Sequence, residues 1–495
     1  MTDGSTARAA TSRARPIIDR VGAHGLLLVA SVVFVLVVSP VVARGAPLAD
    51  DFPNCLRPVR EGLTGMFASS LERLGAVRPA RFVEILVTTG ACQHLPFGVA
   101  IVVPLVLTLA VAWLLAGLLR DVGSPGWWPQ IGGVLWLLQP LGAEAALWPA
   151  ALHVPLALAC ALAALRLFVR GRHVLACVLA LGAMLSAEQT ILALPVATWL
   201  VTPREHRRTA AATCAGAAIV VFAVYASWTG QDPRFSASIG DRLRALMADP
   251  GFYPRWVGLG LGAQSIPLAL WWALPASIPL VAVSAAAGWL LAGRVDETHR
   301  RVSPTVPGVL WFGALLLAAN LPLMLNVPRQ GSPRTFTPTW LILVAGIALI
   351  GPTLPWARLR LVGAVAGILV AGAACSIALT VAIRLESARF FEQAMDALAD
   401  RSSDGDVIAV CGVPRTVTEP SLRGAYAVHD LLYPWSARDG LEYYTGRKAT
   451  VLVSGPGPGG ECPRDADIRV DFTQLRGDRT SQLVRPVAEQ PHGRR

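Results

Sequence analysis

Apolar runs long enough to cross a bilayer recur along most of this chain, and that recurrence limits the fold more than any other feature. The first, Ala23 to Val42, contains no Asp, Glu, Lys or Arg. A membrane core takes about 20 apolar residues of helix to cross. The 495 residues are 54% hydrophobic and 15% charged, whereas soluble proteins carry about 25% charged residues. The expected class is therefore mainly α, a polytopic transmembrane helical bundle. The first run is too long for a signal-peptide h-region, and no small-residue cleavage site clearly follows it. It reads as a retained helix.

Net charge is +11, and Lys448 is the single lysine among 43 basic residues. With so much Ala, Gly, Pro and Val, this arginine bias points to a GC-rich bacterial genome, and so to a bacterial plasma membrane. The charge is scattered through short loops and a tail, with no basic stripe, so nucleic acid is not an expected partner. Its use is in topology, since basic loops stay cytoplasmic.

Arg8, Arg13, Arg15 and Arg20 place a tail over 1–21 in the cytoplasm. The membrane domain then runs over 22–383. Helix 22–43 leads outward to a long first outer loop, 44–94, with amphipathic helices near 57–75 and 79–90. Helix 95–119 returns to Arg120, helix 127–140 goes out, and helix 147–168 comes back to Arg166, Arg170 and Arg172. Residues 173–201 lie between two basic loops, Arg170–His173 and Arg204–Arg208. If both loops are inside, the stretch is a hairpin of two short helices with Glu188 at a sunken tip. Each would have about 15 residues and span about 22 Å, short for a core of about 30 Å. A single spanning helix would invert everything downstream. Helix 209–228 then precedes a second outer loop, 229–263, with an amphipathic piece from Ile239 to Met247. Further helices lie within 264–292 and at 306–325, 337–351 and 360–383. The expected bundle has about eleven helices, N-terminus in and C-terminus out.

After Arg384 the composition changes. An amphipathic helix over Arg384–Asp400 and strands at 406–411, 449–454 and 467–472 read as a small extracytoplasmic α/β C-terminal domain over 384–475. A disordered tail is expected over 476–495. Cys55 and Cys92 share the first outer loop, and Cys411 and Cys462 share the outer domain. Each pair can form a disulfide in an oxidising compartment. Cys160, Cys177, Cys214 and Cys375 fall in helices as apolar packing residues.

Asp50 and Asp51 follow the first helix directly. Neighbouring like charges at a membrane surface make one of them a candidate for a raised pKa and a general-base role. The pair fits the start of a solvated loop equally well. The topology gathers other unusual charges on the same side: Glu144 at the 140–147 turn, Glu188 at the hairpin tip, and Arg329 and Arg334 before helix 337–351. A carboxylate at bilayer depth costs about 3 kcal/mol, so such residues are functional candidates, although polar turns also carry them. A carboxylate base, an arginine and an apolar cavity at the outer leaflet suit transfer of a sugar from a lipid phosphate. The base deprotonates the acceptor hydroxyl, and the arginine stabilises the departing phosphate.

These stretches resemble the GT-C glycosyltransferases, polytopic enzymes that use polyprenyl-phosphate sugars, and are most similar to the protein O-mannosyltransferase-like branch. Asp50-Asp51, followed by Phe52-Pro53-Asn54, matches that family's acidic pair in the first outer loop. Pro140, Glu144 and Trp148 match its proline, glutamate and tryptophan at four-residue spacing. Ser186-Ala187-Glu188-Gln189-Thr190, leading to Pro195, matches its Lys-Glu turn, and Arg334-Thr335-Phe336-Thr337-Pro338 its Arg-Tyr-x-x-Pro. Two features depart from the pattern. Ala187 replaces the lysine, and Leu152 and His153 occupy the region of the arginine and aspartate that follow the tryptophan. A donor-phosphate contact is then either lost or moved to Arg329, Arg334 or His153.

The resemblance implies an inverting single displacement with Asp50 or Asp51 as base. It allows Mg²⁺ or Mn²⁺ at the acidic pair and places the polyprenyl tail between helices. The acceptor would be an extracytoplasmic glycan, lipid or protein. Mannose and arabinose are the natural donor expectations. Two other classes share parts of the pattern. A lipid or polysaccharide transporter or flippase also needs many helices and intramembrane charges, though it usually shows inverted repeats, and none is evident. An inactive GT-C-like scaffold is compatible with the departures.

Overall fold

The computed structural model describes residues 5–45, 47, 51–74, 79–138, 145–229, 238–248, 286, 306–324, 336–353, scattered positions within 360–385, and 402–411, 437–446, 448, 450–453, 466–471 and 484–486. The chain is mostly helical, and three helices are long and apolar enough to cross a membrane: His24–Arg44, Gly98–Asp121 and Arg204–Val224. It has the character of a helical membrane protein. Shorter apolar helices pack among these three.

Helix α1 (Ser5–Arg44) continues without interruption through the stretch expected to be an N-terminal tail. The outer-loop segment forms α2 (Asp51–Leu74), kinked at Gly62, and α3 (Pro79–His94). Gly62 has φ of +69°, a left-handed conformation that a side chain would strain. Then come α4 (Gly98–Asp121), α5 (Trp128–Leu137), a short 3-10 turn at Pro149–Ala151 and α6 (His153–Val169). They are followed by α7 (His173–Ser186), α8 (Gln189–Val201), α9 (Arg204–Thr229), α10 (Ile239–Ala248), α11 (Val306–Met324) and α12 (Thr337–Ile350).

Residues 173–201 are therefore two short helices joined at Ala187-Glu188, not one span. α6 and α7 form a close antiparallel pair, so the α7–α8 tip returns to the end of the bundle where α6 begins. At the other end His173 meets His206, ring centroids 5.7 Å apart. Both basic loops flanking the hairpin thus share one end of the bundle. Arg166 and Arg170 bind Asp121 at that same end.

Without a hydrophobic drive between helices in lipid, close approach at small residues holds such bundles together. A Cβ at Gly98 would stand 1.7 Å from the Val42 carbonyl oxygen, and one at Gly346 would stand 2.5 Å from the Phe312 ring. Gly98 therefore seats the start of α4 against the end of α1. That contact fixes the level at which the chain leaves α1 towards Asp51.

The last part of the chain contains a four-stranded sheet in the order β2-β1-β3-β4, from β1 (Val407–Cys411), β2 (Thr450–Val453), β3 (Ile468–Asp471) and β4 (Val484–Pro486). β1 runs parallel to β2 and β3, with Val407 opposite Thr450 and Ile408 opposite Ile468. A parallel pair needs a crossover, and α13 (Ala437–Thr445) lies on the connection between β1 and β2. β4 pairs antiparallel with β3 and falls in the stretch read from sequence as a disordered tail. Cys462 lies outside the described residues, as do, apart from the single positions 286 and 385, the helices expected within 264–292 and over 384–400.

Candidate functional site

The order of residues on α2 and α3 builds the site. On α2, Asp51, Asn54, Cys55 and Pro58 follow at three- and four-residue steps and share one buried face. On α3, Glu84 and Thr88, both buried, and half-buried Cys92 follow at steps of four. The Cys55–Cys92 disulfide joins the two faces. Thr89 Oγ1 donates to the Asn54 carbonyl at 2.7 Å and ties the helices at a second point.

Asp51, the first residue of α2, is 0% exposed. Its Oδ1 accepts the Ala150 N–H at 3.2 Å. That amide belongs to the 3-10 turn following Trp148, so the loop before α6 is pinned to the start of α2. The N-terminus of α2 also favours negative charge at this position. The solvated-loop alternative for Asp51 does not hold, because the carboxylate is fully enclosed.

One helical turn further, Asn54 Nδ2 donates to Glu84 Oε1 at 3.4 Å. Glu84 Oε2 lies 3.1 Å from His153 Nδ1, with the glutamate side chain 0% and the histidine 18% exposed. Asn54, Glu84 and His153 are thus linked by hydrogen bonds, with Asp51 one helical turn before Asn54 on α2. Fully buried Phe52 stands beside Asp51, 5.9 Å from the rings of both Tyr443 and Tyr444 on α13. Arg60 anchors α13 from below: it bonds Asp439 at 2.7 Å and both oxygens of Glu442. Burial works against the Arg60 charge, but the hydrogen bonds and charges of Glu442 and Asp439 outweigh it and raise its pKa.

Of the sequence candidates, Asp51 is tied to the turn before α6 through the Ala150 amide and His153 to α3 through Glu84. Glu188 stands half-buried at the α7–α8 tip, at the end of the bundle where α6 begins. Asp50, Glu144, Arg329 and Arg334 lie outside the described residues. Glu84 and Asn54 were not anticipated. Residues 79–90 read only as an amphipathic helix near the membrane surface, without singling out Glu84. The four-residue spacing from Glu84 through Thr88 to Cys92 was the available signal. Among the described residues, no three His, Cys, Asp or Glu side chains are grouped so as to hold a metal ion. Asp51 alone of the acidic pair is described, so no step is assigned to Mg²⁺ or Mn²⁺.

A second feature lies deeper in the bundle. An apolar cavity of about 610 Å³ runs between α4, α6, α8, α11 and α12, from Gln189 near the hairpin tip to Asp121 and Arg207 at the basic end. No protein-family model, curated protein or solved structure matches the chain.

Proposed function

We propose that this chain is an integral membrane glycosyltransferase that moves a sugar from a polyprenyl-phosphate donor to an extracytoplasmic acceptor glycan, lipid or protein. The observation that carries this reading is the enclosed Asp51 at the end of the first membrane helix, grouped with Asn54, Glu84 and His153. Burying two carboxylates beside a bilayer is costly, and sites of chemistry are where such costs are retained.

In this reading the Asp50-Asp51 pair supplies the general base. Asp51, set by the Ala150 amide, takes the proton of the acceptor hydroxyl as that oxygen attacks the anomeric carbon. The bond from the anomeric carbon to the donor phosphate breaks on the opposite face, giving inversion, and the lipid phosphate leaves with the bonding pair. His153, oriented through Nδ1 by Glu84, is placed to hydrogen-bond the phosphate where the resembling family carries an arginine. Arg329, Arg334, Glu144 and Glu188 remain proposed donor contacts. The α/β segment over 384–475 would lie outside the cell and help to hold the acceptor, with α13 forming the wall over Phe52.

The test is a deletion strain complemented with wild type, Asp50→Asn or Asp51→Asn at equal membrane abundance, followed by envelope glycan analysis. Purified protein is assayed in parallel for release of polyprenyl phosphate from polyprenyl-phosphate mannose or arabinose. Loss of one envelope sugar and of turnover in one Asn variant is expected. Full restoration by both variants would instead favour a scaffold or a transporter.

A further inference from the structure

We propose that the cavity between α4, α6, α8, α11 and α12 is a second lipid site, which takes one long apolar chain and holds an anionic headgroup at the basic end of the bundle. It is independent of the sugar-transfer reading and lies largely away from the Asp51 group.

The volume of about 610 Å³ falls within the range of ligand sites, about 300–1,000 Å³. Small side chains on the facing helices, Ala161, Ala193, Ala197 and Ala345, leave the space between them unfilled. Its length follows α8, whose 13 residues rise about 20 Å. Water is a poor filler, because each molecule needs two to four polar partners and the walls are mostly aliphatic. A hydrocarbon chain suits this shape and surface.

The charged groups sit at one end, while the neutral side chains of Gln189 and Thr190 line the other. Thr202 lines the cavity and is 1% exposed, and its Oγ1 has no hydrogen-bond partner. Arg207 lines the same end. Its Nε donates to the Thr202 carbonyl at 3.1 Å, and its guanidinium lies over the Trp199 ring at 5.7 Å. Asp121 also faces the cavity, but Arg166 at 2.8 Å and Arg170 at 3.2 Å offset its charge. Three arginines against one aspartate leave this end positive. A buried hydroxyl donor beside an excess of guanidinium matches a phosphate or carboxylate headgroup, and the aliphatic walls match its chain.

The experiment uses the full-length protein purified in detergent and stripped of lipid. Oleoyl lysophosphatidic acid and monooleoylglycerol, with the same chain but different heads, are titrated while thermal unfolding and native mass are followed. Expected is one tightly held lysophosphatidate with a rise in Tm, and at least tenfold weaker binding of the neutral lipid. Ala197→Phe, which fills the cavity, removes the shift. Thr202→Val with Arg207→Gln weakens lysophosphatidate at least tenfold without changing the neutral lipid. Should Ala197→Phe not fold, Ala193→Leu takes its place, and the comparison of the two lipids on wild type decides alone. Equal binding of both lipids overturns the proposal. So does binding indifferent to the Thr202 and Arg207 changes, which would mean that a chain enters from the Gln189 end with its head beside the hairpin tip.

Discussion

Glu84 Oε2 stands 3.1 Å from His153 Nδ1, and the two side chains come from segments 69 residues apart. The pair joins the first outer segment to the start of α6, and the same carboxylate receives Asn54 from α2. Removing one partner of a buried pair leaves the other uncompensated, at about 3–5 kcal/mol. Glu84→Ala is expected to lower thermal stability sharply. Glu84→Gln keeps the volume and one oxygen acceptor and should fold, with sugar transfer reduced at least tenfold. Turnover of Glu84→Gln at wild-type level, in protein of wild-type Tm, would reduce the pair to a structural tie.

Arg60 links α2 to α13 through Asp439 and Glu442. The arginine is one-third exposed, so the network is worth about 1 kcal/mol, and less in high salt. Arg60→Ala should make the 437–445 segment more sensitive to limited proteolysis, and 1 M salt should do the same to wild type. The sign with pH follows from the raised Arg60 pKa. Its contribution is complete at every working pH and is lost only as pH rises beyond the ordinary arginine range. Protease sensitivity should therefore stay flat from neutral to mildly alkaline pH.

Among the described residues, apolar run length marked the long helices, because in a membrane the backbone must satisfy itself locally and length marks a crossing. The segment over 173–201 was legible for a different reason. Two basic flanks permit a hairpin, and the structure has one with Glu188 at its tip. Asp51 was legible from its position after α1. Glu84 was not, because a glutamate on an amphipathic helix has the same sequence signature whether its face meets water or another helix. The Cys55–Cys92 bond, which sequence left open, and the hydrogen bonds of Thr89 and Asn54 turn that face inward. The strand at Val484–Pro486 was hidden similarly: three residues pairing with β3 gain their stability from a partner far away in sequence.

Cys55 and Cys92 are 37 residues apart, and their bond is expected to stabilise the α2–α3 unit by about 2–4 kcal/mol. Cys55→Ser, Cys92→Ser and the double variant should lose a similar amount of stability, since each breaks the same bond. Adding reductant to wild type should reproduce the loss. If the three variants match wild type in thermal unfolding, Asn54 and Glu84 are held by packing alone.

Gly98 allows α4 to begin against Val42, with no room for a Cβ. Gly98→Ala must displace one helix, and Gly98→Val more so. Overpacking of this kind costs about 1–3 kcal/mol, and the displacement reaches the connection that positions Asp51. A graded fall in Tm is expected, glycine above alanine above valine. Gly25, with open space around its Cβ position, should accept alanine with little change.

The α7–α8 hairpin makes a topological prediction that the single-span alternative reverses. Both of its ends lie at the basic end of the bundle, where His173 meets His206 and Gly171 packs near the same ring. Arg172→Cys and Arg204→Cys, each placed in a background lacking the helix thiols Cys160, Cys177, Cys214 and Cys375, should therefore react from the same side of the membrane. Leu95→Cys, at the opposite end just before α4, should react from the other side. Labelling with a membrane-impermeant maleimide, in intact cells and then in opened membranes, reads this directly. The positive-inside rule assigns the side of residues 172 and 204 to the cytoplasm, so intact cells should label only position 95. If 172 and 204 label from opposite sides, residues 173–201 cross the bilayer once, and the Asp51 group and the 384–475 segment can no longer share one face of the membrane.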